Sequence, residues 1–341
     1  MNKVPRYFLL LETYQFNMSA LDEIKLPVAE ELKKFERFFK ESAHSDVSLL
    51  NIVVNYVLRA KGKQIRPLFV FLSAKMHGEV NHSTFVAATT IELLHSASLI
   101  HDDVVDESYE RRGAFSVSAL WKNKIAVLMG DFLLAKGLMI STSEKEYETL
   151  NIISNSMKEM VEGELLQFKK SRKLDIDEQT YFDIIKKKTA SLIGTSMAVG
   201  ANSVTKDQSI IDQMKEIGIL AGLAFQIKDD IFDYQEKGNI GKPTGNDIKE
   251  KKITLPLIHV LNNSSKSERR RIIDIVQHKN HRREKVNELI ELVKRNGGIE
   301  FATQKMLEMS DEAKRLIETF PPSEANSSLV KLIDYIITRK K

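Results

Sequence analysis

His95-Ser96-Ala97-Ser98-Leu99-Ile100-His101-Asp102-Asp103-Val104-Val105-Asp106 closes an apolar-periodic segment that begins near residue 81, and its acidic end recurs in Phe225-Gln226-Ile227-Lys228-Asp229-Asp230-Ile231-Phe232-Asp233. Both segments are too long for strands and repeat at helical spacing, so both predict helices. Residues three and four apart share a helix face, which puts Asp102 with Asp106 and Asp229 with Asp233, flanked by Asp103 and Asp230. Like charges so placed destabilise a bare helix by about 0.2–0.5 kcal/mol per pair. Three carboxylates beside Ile100 or Phe232 need compensation, and a hard cation supplies it. Oxygen-only ligands favour Mg²⁺, which keeps waters and is completed by substrate phosphates. One such cluster alone reads more readily as a solvated acidic face. Two, each inside an otherwise apolar helix, point to a phosphate-bearing substrate held by metal between facing helices.

Outward from these clusters the chain reads as helix after helix. Apolar-periodic segments fall at about 46–60, 66–77, 81–105, 114–141, 146–169, 177–201 and 207–236, and no proline stands between Pro67 and Pro243. Another begins after Ser19 with Leu21, Ile24, Val28, Leu32 and Phe35. Only 7 Pro and 15 Gly occur in 341 residues, which argues for an all-α fold. No linker interrupts the pattern, so residues 18–341 are expected to form a single domain. Residues 1–17 lack a helical period and read as an extension, with Met18 as a candidate start.

Composition excludes several classes. Hydrophobic residues at 42% suffice for a core, and 29% charged residues suit a soluble surface. Net charge is 51 − 47 = +4 with both signs interspersed, which argues against nucleic acid. The basic runs at Arg269-Arg270-Arg271 and Arg282-Arg283 read as solvated faces. Absence of cysteine removes disulfides, thiolate metal sites and a cysteine nucleophile, and fits the cytoplasm. No uninterrupted apolar run approaches about 18 residues, so no transmembrane segment is expected.

A diphosphate reaction also needs cations, since Arg and Lys hold phosphate oxygens by charge-assisted hydrogen bonds. Lys63 and Arg66 lie in Lys61-Gly62-Lys63-Gln64-Ile65-Arg66-Pro67, where Gly and Pro mark a helix start whose amides favour anions. Arg111 and Arg112 follow the first cluster. Lys188-Thr189 lies within a helix, and Lys242 and Lys252 follow the second cluster. Each alone is ordinarily a surface charge; their placement around the acidic clusters gives them meaning.

With Gly62-Lys63-Gln64-Ile65-Arg66-Pro67, the two Asp runs, Arg111-Arg112-Gly113, Gly130-Asp131, Glu162-Gly163-Glu164, Lys188-Thr189 and Gly241-Lys242 in this order, the chain from about residue 20 resembles the polyprenyl synthetases, the trans-isoprenyl diphosphate synthase family. The resemblance implies the isoprenoid synthase fold, a bundle of long helices around a central cavity with both Asp clusters at its mouth. Lys61 replaces a usual Gly and Gln64 a common Arg, while Lys63 and Arg66 stay in register.

The resemblance also implies the chemistry. An allylic diphosphate, bound through three Mg²⁺, ionises to an allylic cation and pyrophosphate. The double bond of isopentenyl diphosphate attacks the cation, and the pyrophosphate takes the released proton, so no protein general base is assigned. Asp102, Asp106 and Asp229 would be direct ligands, with Asp103, Asp230 and Asp233 direct or through water. Arg111, Lys188, Thr189, Gln226, Lys242 and Lys252 would hold the allylic diphosphate. Lys63, Arg66, His95 and Arg112 would hold isopentenyl diphosphate; alone, His95 reads as a core histidine. A homodimer is implied, and peripheral membrane contact for product release is compatible with it.

The growing chain would pass Ala97, Ser98 and Leu94, one to two turns below Asp102. Short-chain members carry an aromatic residue here. Small Ala97 and Ser98 lead us to expect a hexaprenyl to nonaprenyl product, octaprenyl above all, with Leu94, Met129 or Met139 as the floor. Other readings explain less. A di-iron protein, suggested by Glu41-x-x-His44 and Glu92-x-x-His95, leaves the Asp clusters idle. A terpene cyclase needs no second diphosphate site. A non-catalytic partner subunit would lack intact Asp motifs, and a short-chain synthase would carry the aromatic wall.

Overall fold

The computed structural model describes residues 19–59, 64–111, 113–174, 176–235 and 244–339. The N-terminal extension, Lys63, Arg112 and Lys242 lie outside them. Ser19 caps α1 (Ala20–Lys25), accepting from the Asp22 amide at 3.2 Å, and a 3₁₀ turn (Leu26–Val28) carries Pro27 into α2 (Ala29–Ser42). Then come α3 (Ser48–Arg59), α4 (Ile65–His77) and α5 (His82–Val105). Asn81 and Thr84 start α5 with a reciprocal capping box.

The expected helix over 114–141 begins instead with a strand. β1 (Glu110–Arg111) pairs antiparallel with β2 (Ala114–Phe115), and Gly113 at φ +77° makes the reversal between them. Ser116 then caps α6 (Val117–Ser143), which leads to α7 (Tyr147–Lys173). The segment over 177–201 is broken into α8 (Glu178–Ile185), a π-helical turn (Lys186–Ala190) and α9 (Ser191–Asn202). After α10 (Gln208–Tyr234) the elements shorten: α11 (Asn246–Lys249), α12 (Leu255–Asn263), α13 (Lys266–His278), α14 (Arg283–Arg295), α15 (Gly298–Ile317) and α16 (Glu324–Thr338).

The core sits on α9 and α10. All twelve residues of α9 are buried, as its apolar and small composition on every side requires. It meets α10 at Gly194 and Gly218, where a β-carbon on Gly218 would come within 2.7 Å of the Gly194 Cα. Around this pair α7 runs antiparallel to α9: Lys188 bonds Gln167 at one end, and Asn202 bonds Thr149 at the other. Helix α5 packs on α6, α4 and α9, and its Ser98 reaches Met160 of α7. Its N-terminal end is tied down by Thr84 to Ser203 (2.7 Å) and Thr90 to Ser141 (2.9 Å), leaving the acidic end of α5 near the Glu164–Lys188 end of α7.

Helices α5 and α6 are long and apolar enough to cross a membrane by length and composition. Neither holds an uninterrupted apolar run of that length, because single charges such as Asp131 and Lys136 break a run without much lowering its average hydropathy. Two thirds of the apolar window of α5 is packed inside the protein (67% buried), against 33% for α6. Leu120, Val127, Leu128, Leu138 and Met139 are exposed along α6. Met139 is 61% exposed, so it cannot floor an internal cavity; it lies on the outer side of α6.

Candidate active site

The first acidic cluster ends α5. Its three carboxylates part company: Asp103 is buried and accepts from Arg111 Nε at 2.7 Å, whereas Asp102 is half-buried and Asp106 exposed. The hairpin explains the Arg111 contact, since it folds the chain back over the end of α5. Burial first, and then the negative charge of Glu164, push Asp102 above the usual carboxylate range. Burial likewise raises Asp103, with Arg111 opposing it.

The second cluster ends α10 and is more heavily tied. Asp230 is buried and accepts from Tyr181 Oη (2.7 Å) and Gln226 Nε2 (2.8 Å). Asp233 accepts from the backbone amides of Asn246 and Asp247, both at 3.0 Å, and so starts α11. Asp229 pairs with Arg339, which follows α16. Burial, with Asp229 and Asp233 adding to it, raises Asp230 to about 7. Burial and the Asp230 charge raise Asp247 to about 8. The buried Tyr181 hydroxyl is pushed well above its normal range by burial and by Asp230.

Two cavities open beside these clusters. One, of ≈ 110 Å³, is lined by Gln167, Tyr181, Lys188, Thr189, Gln226, Asp230, Asp247 and Lys252 among others. Four of the six residues expected on the allylic side, Lys188, Thr189, Gln226 and Lys252, therefore share it. Lys188 is held between Glu164 (2.5 Å) and Gln167 (2.9 Å), and Thr189 donates to Gln226 at 2.9 Å. The π-helical turn swings Lys188 and Thr189 to this side, and Gly163 makes room, since a β-carbon there would meet the Lys188 amide at 2.9 Å. Asp230 of the second cluster lines this cavity and Asp106 of the first acts on Lys252, so both acidic clusters reach the space around Lys252. Burial opposes its charge, yet Glu250 at 2.5 Å and the Asp residues raise its pKa overall.

The other cavity, of ≈ 80 Å³, is lined by Gln64, Glu92, His95, Ser96, Leu99, Asp103, Arg111 and Phe115 among others. His95 is buried on this side. Arg111, expected on the allylic side, lines this cavity instead, because its guanidinium is drawn to Asp103. Gln64 begins α4 with a left-handed backbone (φ 51°, ψ 40°), an unusual conformation for a non-glycine residue. Arg66 sits half-buried in the first turn of α4.

Of the chain-length residues, Ala97 is fully buried, and Ser98 faces α7 with its Oγ 3.8 Å from Met160 Sδ. Leu94 points the other way, onto Gly137 of α6, where a β-carbon would stand 3.3 Å from it. Met129 is wholly buried in α6.

The donor set suits a hard divalent ion. Among the described residues no three acidic or histidine groups converge on one point. The half-buried carboxylates Asp102 and Asp229, with exposed Asp106, offer oxygens only. Any ion they hold must be completed by water and substrate phosphate, the habit of Mg²⁺. Sequence reasoning missed Tyr181, Gln167, Asp247 and Arg339. Gln167, one turn beyond Glu164, had a spacing signal; the other three come from elements remote from the clusters they touch.

The family model for polyprenyl synthetase matches residues 47–293. Heptaprenyl diphosphate synthase component 2 of Bacillus subtilis is 34% identical over 91% of this chain and 88% of that protein. Octaprenyl diphosphate synthase of Escherichia coli is 30% identical over 94% and 99%. Among solved structures, polyprenyl synthase from Caulobacter crescentus, complexed with calcium and isoprenyl diphosphate, superposes with a TM-score of 0.87 at 28% identity, covering 94% of this chain and 98% of that one. With His95, Asp103 and Arg111 lining one cavity, Lys188, Thr189, Gln226 and Asp230 lining the other, and the family model matching well over half of its length, this chain belongs to the polyprenyl synthetase family.

Proposed function

We propose that this protein is a Mg²⁺-dependent prenyltransferase that adds isopentenyl diphosphate repeatedly to an allylic diphosphate such as farnesyl diphosphate, giving a long-chain all-trans polyprenyl diphosphate of the kind used as a quinone side chain. The observation that carries this reading is the pair of cavities on either side of the α5 acidic end, each with its own cationic or polar donors. Elongation needs two diphosphates side by side; a cyclase needs one.

Asp102, Asp106 and Asp229 hold the ions, three in number by family resemblance. Asp103, Asp230 and Asp233 fix the neighbouring structure that aims them. Bound Mg²⁺ supplies Lewis-acid stabilisation of the leaving pyrophosphate. Lys188, Thr189, Gln226 and Lys252, with Lys242, orient the allylic diphosphate. His95, Arg66 and Arg111, with Lys63 and Arg112, orient isopentenyl diphosphate. Lys188 arrives paired to Glu164 and Gln167, so it is positioned before substrate binds and needs little reordering.

The new chain runs down between α5 and α7. Between Phe85 and Asp102, α5 carries no Phe, Tyr or Trp, and of its two imidazoles His95 faces the other cavity and His101 lies against Gly130 of α6. About 21 Å of helix separates Ser98 from Thr84, supporting a long product. The exposed apolar face of α6 is the surface we assign to a homodimer, and residues 18–341 act as one catalytic unit in the cytoplasm.

The test is incubation with farnesyl diphosphate, labelled isopentenyl diphosphate and Mg²⁺, followed by sizing of the product. Ser98→Phe should shorten it by filling the space now facing Met160; an unchanged length would remove this wall from the account. The Bacillus relative is named as a component, which favours a second reading in which another subunit is required. Failure of the isolated chain to incorporate label would select that reading.

A further inference from the structure

Asp229 differs from its neighbours in what holds it. Asp230 and Asp233 are bound by a phenol, an amide side chain and backbone amides, all neutral. Asp229 is bound by a cation, Arg339, from an element 110 positions along the chain. The guanidinium is seated there by more than charge. It lies 4.0 Å from the ring centroid of Phe225 and 5.9 Å from that of Phe232. Phe225, Asp229 and Phe232 are spaced four and three residues apart, so α10 presents ring, carboxylate and ring along one face. Arg, flat and weakly hydrated, suits such a receptacle better than Lys. Its side chain is only 16% exposed. Yet its Nε has no hydrogen-bond partner among the described residues, so the seat is incompletely satisfied and the guanidinium is not locked in place.

We infer that Arg339 is a displaceable counter-ion for Asp229, occupying the carboxylate's charge until a divalent cation replaces it, and so sets the metal affinity of the second acidic cluster. The inference rests on the reading of Asp229 as a metal ligand. Asp229 stands at the same helix end as Asp230 and Asp233, and these like charges repel one another. A monovalent guanidinium relieves that repulsion but yields to a divalent ion, whose attraction for the same carboxylate is about twice as great at equal distance. The metal must therefore compete with Arg339, and its apparent affinity is weaker than the carboxylates alone would give.

The experiment titrates the substrate-free full-length protein with Mn²⁺, following free ion by electron paramagnetic resonance, in wild type, Arg339→Gln, Arg339→Lys and Asp229→Asn. Arg339→Gln should tighten Mn²⁺ binding on the order of fivefold, as expected for loss of a partly exposed competing charge. Arg339→Lys, which keeps the charge but seats it less well on the two rings, should tighten binding by less than Arg339→Gln. Asp229→Asn should weaken binding. Unchanged or weaker binding in Arg339→Gln, with Asp229→Asn weakened, overturns the counter-ion role alone. Unaltered binding in Asp229→Asn overturns the ligand reading, and the inference with it. Should Arg339→Gln not fold, Arg339→Lys decides: with the Lys ammonium less well seated on the two rings, tightening of a smaller size supports displacement, and weakening overturns it.

Discussion

The ends of α5 and α10 carry the same Asp-Asp-x-x-Asp pattern and meet different fates. At the end of α5 the neighbouring hairpin captures only the middle carboxylate, Asp103, through Arg111, so Asp102 and Asp106 remain directed to the open space. At the end of α10 each carboxylate has a partner from another element: Asp229 has Arg339, Asp230 has Tyr181 besides Gln226 of its own helix, and Asp233 has the amides that begin α11. The repeated spacing thus supplies two equivalent acidic faces, and tertiary neighbours make one ready and the other braced. In both, the second Asp of the pattern is the buried one. That is the helical geometry, since position i+1 lies about 100° round from i and faces the protein when i faces the cleft.

The sharpest way to break this comparison is to neutralise the ready face. Asp102→Asn should lower kcat/KM about 10³-fold, about 4 kcal/mol of transition-state stabilisation, if Asp102 holds the ion that takes up the leaving-group charge. Steady-state assay at saturating Mg²⁺, with circular dichroism to check folding, measures it. A loss below tenfold would show that the α5 end is not the working face. Asp230→Asn should cost less, because Asp230 already spends its oxygens on Tyr181 and Gln226.

Next in size is the structural carboxylate of the same cluster. Arg111→Met leaves Asp103 buried beside an apolar side chain. Removing one partner of a fully buried pair costs about 3–5 kcal/mol, but the Arg111 side chain is 34% exposed and water screens part of the pair, so about 2 kcal/mol is expected. Chemical denaturation at neutral pH reads it. Arg111→Met with Asp103→Leu should recover most of the loss; no recovery would mean that Arg111 stabilises through other contacts.

What was legible in the sequence follows the same division. Periodicity and proline placement were enough for the long helices, because a helix is specified by neighbours three and four residues apart. The acidic faces were legible for the same reason. The π-helical turn was not, since Lys186 to Ala190 keep helical composition and only the packing of Gly163 and Gly222 against this turn shows why it deviates. The side on which Arg111 falls depends on a two-residue hairpin too short to leave a hydrophobic pattern. Arg339 and Tyr181 carry no local signal at all: their roles exist only because α16 and α8 pack on the end of α10. The small size of Ala97 and Ser98 is plain in the sequence, but what faces Ser98, Met160, comes from another helix.

The smallest effect separates the two ends by pH. Asp230, raised to about 7, and Asp247, raised to about 8, titrate as an interacting pair. In the unfolded chain both would titrate near 4. Between those limits the metal-free folded protein holds protons that the unfolded chain has released, so its unfolding free energy falls as pH rises. The contribution is complete below about pH 4 and gone above about pH 8. Because the two groups share their surroundings and Lys252 partly offsets them, the expected change is well below the sum of the two shifts taken separately. Thermal unfolding of the metal-free protein from pH 5 to 8.5 should show a falling Tm, and Asp247→Asn should flatten it by removing one titrating member and the repulsion it exerts on Asp230. Mg²⁺ should flatten it as well, since an ion near Asp229 favours the ionised form of its neighbours. A slope that survives both changes would place its origin away from the α10 end, and the contrast between a ready and a braced cluster would lose its electrostatic basis.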